Sequence, residues 1–224
     1  MQGDRITVEE IKTDPIFQAL IKKADEHLTA MGFTEHGFRH ADLVSHIAYN
    51  VLDRLHFPRR TCELAAIAGF LHDIGNVVAR DRHGPSGAAL AYPILLRLGL
   101  NPDELATILG AIGNHEEEYG EAVSKVAAAL ILADKSDVHR TRVKTKKDAA
   151  QFDIHDRVNY AAVKSFLGVD ANQKQITLDI SIDVTITPVM EYFEIFLDRM
   201  VMCRRAARVL GCQFGLVING NKLL

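Results

Sequence analysis

The sequence is short of cysteine, carries no strong excess of charge and has no long apolar run. Its three cysteines, Cys62, Cys203 and Cys212, form no CxxC pair and are odd in number. This argues against a disulfide framework and predicts reduced thiols acting as small buried apolar groups in a cytosolic protein. The formal net charge is −3, so bulk electrostatics gives no reason to expect a nucleic-acid partner. The longest uncharged apolar stretch, Val126 to Ala133, is about half of the ~18 residues that a membrane span needs. The opening Met-Gln-Gly-Asp-Arg lacks the apolar core of a signal peptide. The expectation is a cytoplasmic protein with no membrane partner.

What is present points to a soluble globular chain: 224 residues, 48% hydrophobic and 25% charged, enough to bury a core in one domain or one and a half. The first two-thirds read as helices with short breaks. Pro15 starts a first helix whose Ile16, Ala19, Leu20 and Ala24 are expected to face the core, with Gly32 at its end. A second runs from His36 or Arg39 to Leu55, with a stripe at Leu43, Ile47, Val51 and Leu55. Pro58 opens a third, inward at Leu64, Ile67, Ala68 and Leu71, until Gly75 interrupts. A fourth is expected from Pro85 through Leu96. The run Asn101-Pro102-Asp103-Glu104 combines a cap, a first-turn proline and acids against the dipole, and starts a fifth. A sixth covers Glu121 to Val138.

Beyond it, His139, Arg140, Arg142, Lys144, Lys146 and Lys147 form a basic stretch. A short helix is expected from Asp156 to Leu167, then a linker from Gly168 to Lys174. Ile176, Leu178, Ile180, Ile182 and Val184 alternate with Thr177, Asp179, Ser181 and Asp183, the period of a strand with one wet face. Pro188 starts a long helix to about Leu210, and Phe214, Leu216 and Ile218 suggest a second strand. The expected architecture is mainly α: a helical bundle over residues 1–168 and a small α/β appendage, strand-helix-strand, over 175–224, suited to making a homodimer.

The chemistry centres on His72-Asp73, at the end of an apolar run and just before Ile74-Gly75. Helical neighbours point about 100° apart, so both side chains reach one centre only if the last turn loosens, which Gly75 permits. An imidazole nitrogen binds one cation, whereas a carboxylate has two oxygens and can bridge two. Asp73 is therefore the natural bridge. The plain alternative is an ordinary buried His-Asp pair. The other histidines and a distant aspartate bear on the choice. His40 sits on the side of Leu43 and Ile47, a poor place for an unsatisfied imidazole. His83 stands at a helix start and His115 at a helix end, where capping or a dipole contact is the alternative. Asp134 interrupts Leu130-Ile131-Leu132-Ala133, where an unpaired carboxylate is costly. Lys135, Arg140 and Arg142 follow closely enough to reach a bound phosphate, or they form a solvated basic loop. His36, one turn before His40, is a weaker ligand candidate. His155-Asp156 reads as a helix cap, and Met200, Met202 and Cys203 as core.

His40, Leu71-His72-Asp73-Ile74-Gly75, His83 with Gly87-Ala88, His115, and Ala133-Asp134-Lys135 occur in the order of a known pattern. Over residues 35–142 it resembles the HD-domain superfamily of metal-dependent phosphohydrolases. The resemblance implies an HD-type helical bundle. It also implies a metal site of His40, His72, Asp73 and Asp134, extended by His83 and His115 to hold two ions roughly 3.5–4 Å apart. The chain departs from the cyclic-di-GMP phosphodiesterase branch: Asn114-His115-Glu116 replaces a His-His-Glu triplet, Tyr119-Gly120 lacks the Gly-Tyr-Pro signature, and Asn76 stands where a lysine is usual.

The implied activity is hydrolysis of a phosphoester or phosphoanhydride in a small, nucleotide-like molecule. The implied cofactors are two divalent or mixed-valent transition-metal ions, iron or manganese first, then zinc, cobalt or nickel. In this expectation Asp73 and Lys135 are catalytic, and Lys135, Arg140 and Arg142 hold the phosphate. Two other classes compete: a mixed-valent di-iron oxygenase on the same ligands, told apart by oxygen uptake, and a non-catalytic sensing or scaffold module, told apart by metal analysis and a phosphatase panel.

Overall fold

The computed structural model describes residues 6–144 and 152–224; Met1 to Arg5, and Lys146 and Lys147 of the basic stretch, lie outside the described residues. Helix α1 (Val8–Thr13) opens with a capping box between Thr7 and Glu10. Asp14 then caps α2 (Pro15–Ala30) by accepting from the amides of Ile16 and Phe17. Helix α2 buries Phe17, Ile21, Ala24 and Leu28. Of the expected face only Ala24 is shared, and Ile16 is exposed. Two apolar sets overlap on this helix, and the one containing the large Phe17 is packed. Gly32, at φ +87°, ends the helix as expected.

Helix α3 (Phe38–Arg54) shows the same one-residue displacement. It buries His40, Ala41, Val44, Ser45, Ala48, Val51 and Leu52, and leaves Leu43 and Ile47 half-buried at the margin. The cause lies on α4 (Arg59–Leu71). A side chain on Gly69 would place Cβ 2.9 Å from Ser45 Cα. The two backbones approach so closely that small residues form the seam and larger ones are pushed to its edges. Helix α4 is buried continuously from Leu64 to Leu71, and a one-turn 3-10 helix follows at Ile74–Val77.

Helix α5 (His83–Arg97) begins earlier than expected, behind Arg82 in the left-handed region at φ 58°. Helix α6 (Pro102–Gly113) starts where the sequence indicates, with the Asn101 side chain accepting from the Asp103 amide at 2.9 Å. Helix α7 (Lys125–Lys135), capped by Ser124, is shorter than the expected Glu121–Val138, and each of its residues from Val126 to Lys135 is buried. It is the central helix, packed by α3, α4 and α6.

The expected helix to Leu167 and the linker after it are corrected. Helix α8 (Ile154–Ala161) stops early, and strand β1 (Ala162–Asp170) takes Val163 to Val169. Both faces of β1 are partly exposed, so no alternation marks it in the sequence. Strand β2 (Gln175–Ile182) shows the alternation cleanly, with Ile176, Leu178, Ile180 and Ile182 buried, while Val184 lies beyond it and is exposed. Helix α9 (Val189–Val209) crosses to β3 (Gln213–Ile218), and β4 (Asn221–Lys222) closes the sheet. The strand order is β1-β2-β3-β4, with β2 and β3 parallel and the outer pairings antiparallel. A parallel pair needs a crossover, which α9 supplies. The fold is mainly α with a small α/β appendage, and α9 packs on α7.

Cys62, Cys203 and Cys212 are free and buried, and burial pushes the Cys203 thiol up to about 12. Among the described residues no helix is long and apolar enough to cross a membrane.

Candidate metal centre

Four histidines and two aspartates, from α3, the end of α4, the start of α5, the end of α6 and the end of α7, meet at one buried point. His72 keeps helical backbone angles, and Asp73 turns off at φ −96°, ψ 0° into the 3-10 turn. This is the loosened last turn that lets both neighbours face one centre. Gly75 has a further role, in close packing: a Cβ there would lie 1.9 Å from the carbonyl oxygen of His83. Its bare backbone lets the start of α5 pack against the turn and brings His83 to Asp73.

Each imidazole is oriented through Nδ1. His40 Nδ1 donates to Asp137 Oδ2 at 2.7 Å, and His72 Nδ1 to the Gly69 carbonyl at 2.8 Å. His83 Nδ1 lies 2.9 Å from the Arg80 carbonyl and 3.1 Å from Glu116 Oε2. His115 Nδ1 donates to the Ile112 carbonyl at 2.7 Å. With the Nδ1 proton so engaged, a neutral imidazole presents a bare lone pair at Nε2. Those four nitrogens converge in pairs, His40 to His72 at 3.2 Å and His83 to His115 at 3.0 Å. Two lone pairs do not attract one another; a proton on one of them, as on His72 without an ion, or a cation between them removes the conflict.

Asp73 divides the pairs. Its Oδ2 lies 3.6 Å from His40 Nε2 and 3.3 Å from His72 Nε2, and Asp134 Oδ1 joins them at 3.4 and 3.7 Å. Its Oδ1 faces the other pair, 3.2 Å from His83 Nε2 and 3.9 Å from His115 Nε2. Donors bound ~2.1 Å from one cation at angles near 90–110° stand about 3.0–3.4 Å apart, close to most of these separations. Two sets, His40-His72-Asp134 and His72-Asp73-His115, offer donor atoms that lie within 4.8 Å of one another and can hold an ion.

The electrostatics suit a cation. Burial opposes ionisation of Asp73 and Asp134, yet neighbouring His72, with Lys135 for Asp134, holds both carboxyls well below the usual range. Burial likewise opposes charge on His72, but the Asp73 and Asp134 carboxylates outweigh it and raise the imidazole to about 10. His115, buried beside His83 and His72, is lowered instead.

Around this centre lies a shell in which the sequence pointed to Lys135, Arg142 and Asn76 but not to Asp137, Glu116, Glu117, Arg39, Arg80 or Arg199. Asp137 accepts from His40 and is clamped by Arg39 Nη2 at 2.8 Å, while its carbonyl takes Arg142 Nη1 at 3.0 Å. Glu116 accepts from the Gly84 amide at 2.7 Å. Lys135 Nζ lies 2.5 Å from Asp134 and 3.1 Å from Glu117, and Glu117 is reached from α9 by Arg199 at 2.8 Å. Asn76 donates to Asp73 Oδ1 at 3.0 Å and accepts from Arg80 at 3.3 Å. Asp137 carried one weak signal, a second carboxylate near a helix end within three residues of Asp134. Arg80 and Arg199 carried none, because only tertiary packing brings them here.

The basic candidates separate. Lys135 is buried beside the centre. Arg142 is buried too, with its guanidinium also on the Glu35 carbonyl at 3.1 Å. Arg140 lies against the Tyr160 ring, 5.3 Å from its centroid. His36 is buried with its ring 5.5 Å from His40, but its Nδ1 is bonded to the Thr34 carbonyl. A cleft of about 220 Å³ opens at this side, lined by His36, Phe33, Arg80, Arg142, Phe196 and Arg199, with α8 along its far wall.

Replacing Asp137 with Asn keeps its shape and removes its charge. Metal affinity should fall about 10–100-fold, the usual effect of losing a partner that orients a ligand. Competition against a chromophoric chelator measures it, and an unchanged affinity would mean Asp137 serves only Arg39 and Arg142.

Residues 37–139 match the family model of the HD domain, a span that contains all six converging residues. This match supports the HD-domain superfamily for residues 37–139. HD domains are typical of metal-dependent phosphohydrolases and bind divalent metals. Comparison with curated proteins gives no match.

Proposed function

We propose that the protein is a metal-dependent phosphohydrolase acting on a small phosphorylated, nucleotide-like molecule, with two transition-metal ions as cofactors. The observation that carries this reading is the division of donors about Asp73, whose two oxygens face two separate pairs of Nε2 lone pairs. One ion would be held by His40, His72, Asp134 and Asp73, and the other by His83, His115 and Asp73. Imidazole with carboxylate suits iron, manganese, cobalt, nickel or zinc better than magnesium. When bound, such ions polarise phosphate oxygens and lower the pKa of water.

The chain's own residues supply the remaining chemistry. Among the described residues Arg199 engages Glu117 only through Nε and Arg80 engages Asn76 only through Nη1, leaving N–H groups of both for a phosphate in the cleft. Lys135 balances Asp134 and Glu117 and adds positive charge where negative charge develops on the phosphate. Arg142 contributes charge to the cleft wall, while Arg140 stands farther out on Tyr160. This cationic cleft favours phosphate chemistry over the oxygenase alternative.

The deciding experiment is metal analysis of the purified protein beside a panel of phosphomonoesters, phosphodiesters and nucleotides, with and without chelator. About two ions per chain and chelator-sensitive phosphate release are expected. Oxygen uptake without phosphate release would overturn the reading.

A pH dependence follows for metal binding. His72 is raised to about 10, so near neutrality it holds a proton that an ion must displace. Apparent affinity should therefore rise with pH, about tenfold per unit between pH 6 and 8 for one proton released. Manganese titrations in buffers of different ionisation enthalpy measure that proton directly.

A further inference from the structure

The far wall of the cleft carries a feature that the metal centre does not use. Asn159, on α8, lines the cleft with His36, Arg142, Phe196 and Arg199 and is 5% exposed. Its Nδ2 donates to the His155 carbonyl at 2.9 Å. That contact fixes the amide orientation, since the flipped form would set two carbonyl oxygens against each other. The other end of the amide, Oδ1, is buried and has no hydrogen-bond partner among the described residues. Buried carbonyl oxygens are nearly always paired, so this one lacks a partner that a group entering the cleft lined by Asn159 would supply once the side chain turns slightly toward it.

The partner Oδ1 lacks has a definite chemistry. An amide oxygen only accepts, so it takes an N–H or O–H group. A phosphate ionised at neutral pH offers it nothing and is drawn instead to Arg80 and Arg199. The apolar rings of Phe33 and Phe196 line the same cleft, the first carrying Arg80 at 5.3 Å from its centroid and the second Arg199 at 4.5 Å. The cleft thus offers the cations Arg80, Arg142 and Arg199, two aromatic rings and, on the α8 side, the Asn159 amide together with the carboxylates of Asp153 and Asp156.

We infer that Asn159 is a specificity-determining residue, reading through Oδ1 a neutral hydrogen-bond donor on the part of the substrate that bears the phosphate. This rests on the phosphohydrolase reading above and narrows it: the substrate is a phosphate ester of a polar, ring-containing group with an N–H or O–H on its non-phosphate end. A base amine or imine and a sugar hydroxyl offer the same chemistry to this oxygen.

Two substrate pairs separate these sources. Ribonucleotides against their 2′-deoxy forms vary the hydroxyl, and aminopurine nucleotides against the unsubstituted purine nucleotide vary the amine. Each is assayed by kcat/KM and by calorimetric binding to the metal-loaded protein, for wild type, Asn159→Leu and Asn159→Asp, with melting curves and metal content as folding controls. Wild type should prefer the donor-bearing member of one pair by about tenfold or more. In Asn159→Leu that ratio should collapse toward one, whereas Asn159→Asp, which still accepts, should retain part of it. Equal ratios in wild type and Asn159→Leu, or no preference within either pair, would overturn the assignment. Hydrolysis of p-nitrophenyl phosphate, which has neither donor, reports the underlying reading. Its metal-dependent presence with no discrimination sinks Asn159 alone, and no phosphate release from any ester sinks both.

Discussion

Asp73→Ala is expected to lose both metal ions together and at least ~10³-fold of turnover. Among the converging residues Asp73 alone has an oxygen toward each imidazole pair, so its removal opens both compartments at once. The contribution of metal ions to such reactions is several kcal/mol, and each 1.36 kcal/mol is tenfold in rate; three such steps are a modest reckoning for losing two ions. The contrast is His115→Ala, which strips a donor from one side only and should lower occupancy toward one ion per chain. Elemental analysis and kcat on the best phosphoester distinguish the two patterns. Undiminished hydrolysis by metal-free Asp73→Ala protein would remove the basis of the proposed chemistry.

Gly75→Ala is expected to be nearly as damaging, although it adds one methyl group and replaces no proposed ligand. A Cβ at this position would meet the His83 carbonyl oxygen at 1.9 Å, the Gly87 amide nitrogen at 2.5 Å and the His83 carbonyl carbon at 2.8 Å. All three are backbone atoms, so no side chain can swing aside. Overpacking of this kind costs about 3 kcal/mol or more, a fall in Tm of roughly 6–12 °C for a chain of this size. The relief available is withdrawal of the first turn of α5, which carries His83 away from Asp73. Loss of one ion should accompany the drop in Tm. A variant that melts at the wild-type temperature with both ions in place would show that the turn and α5 have more freedom than this packing allows.

The candidate metal centre was more legible in the sequence than the packing around it. His72-Asp73, His40, His83, His115 and Asp134 are residue types that a buried helix tolerates only with partners, so their positions stood out against an apolar background. The buried stripes were harder. Apolar residues on α2 and α3 form two overlapping helical faces, and the choice between them depends on where a neighbouring backbone comes close, as at Gly69 and Ser45. Strand β1 was hidden for a different reason: an outer strand exposed on both faces has no alternation to read. Arg80 and Arg199 act at the site through contacts made across the fold, and a sequence contains no local mark of such contacts; Asp137 was marked only by its nearness to Asp134. Arg142 was noticed for its charge and proves to be held by the carbonyls of Glu35 and Asp137.

The bridge from Arg199 through Glu117 to Lys135 bears on where the working unit ends. The family match stops at residue 139, yet α9 supplies the cation that holds Glu117 against the Lys135-Asp134 pair and also packs on α7. A fragment trimmed to the matched span would keep every proposed ligand and lose that counter-charge, one wall of the cleft and the cover over its central helix. The smallest piece worth expressing, crystallising or grafting is therefore one that extends through α9.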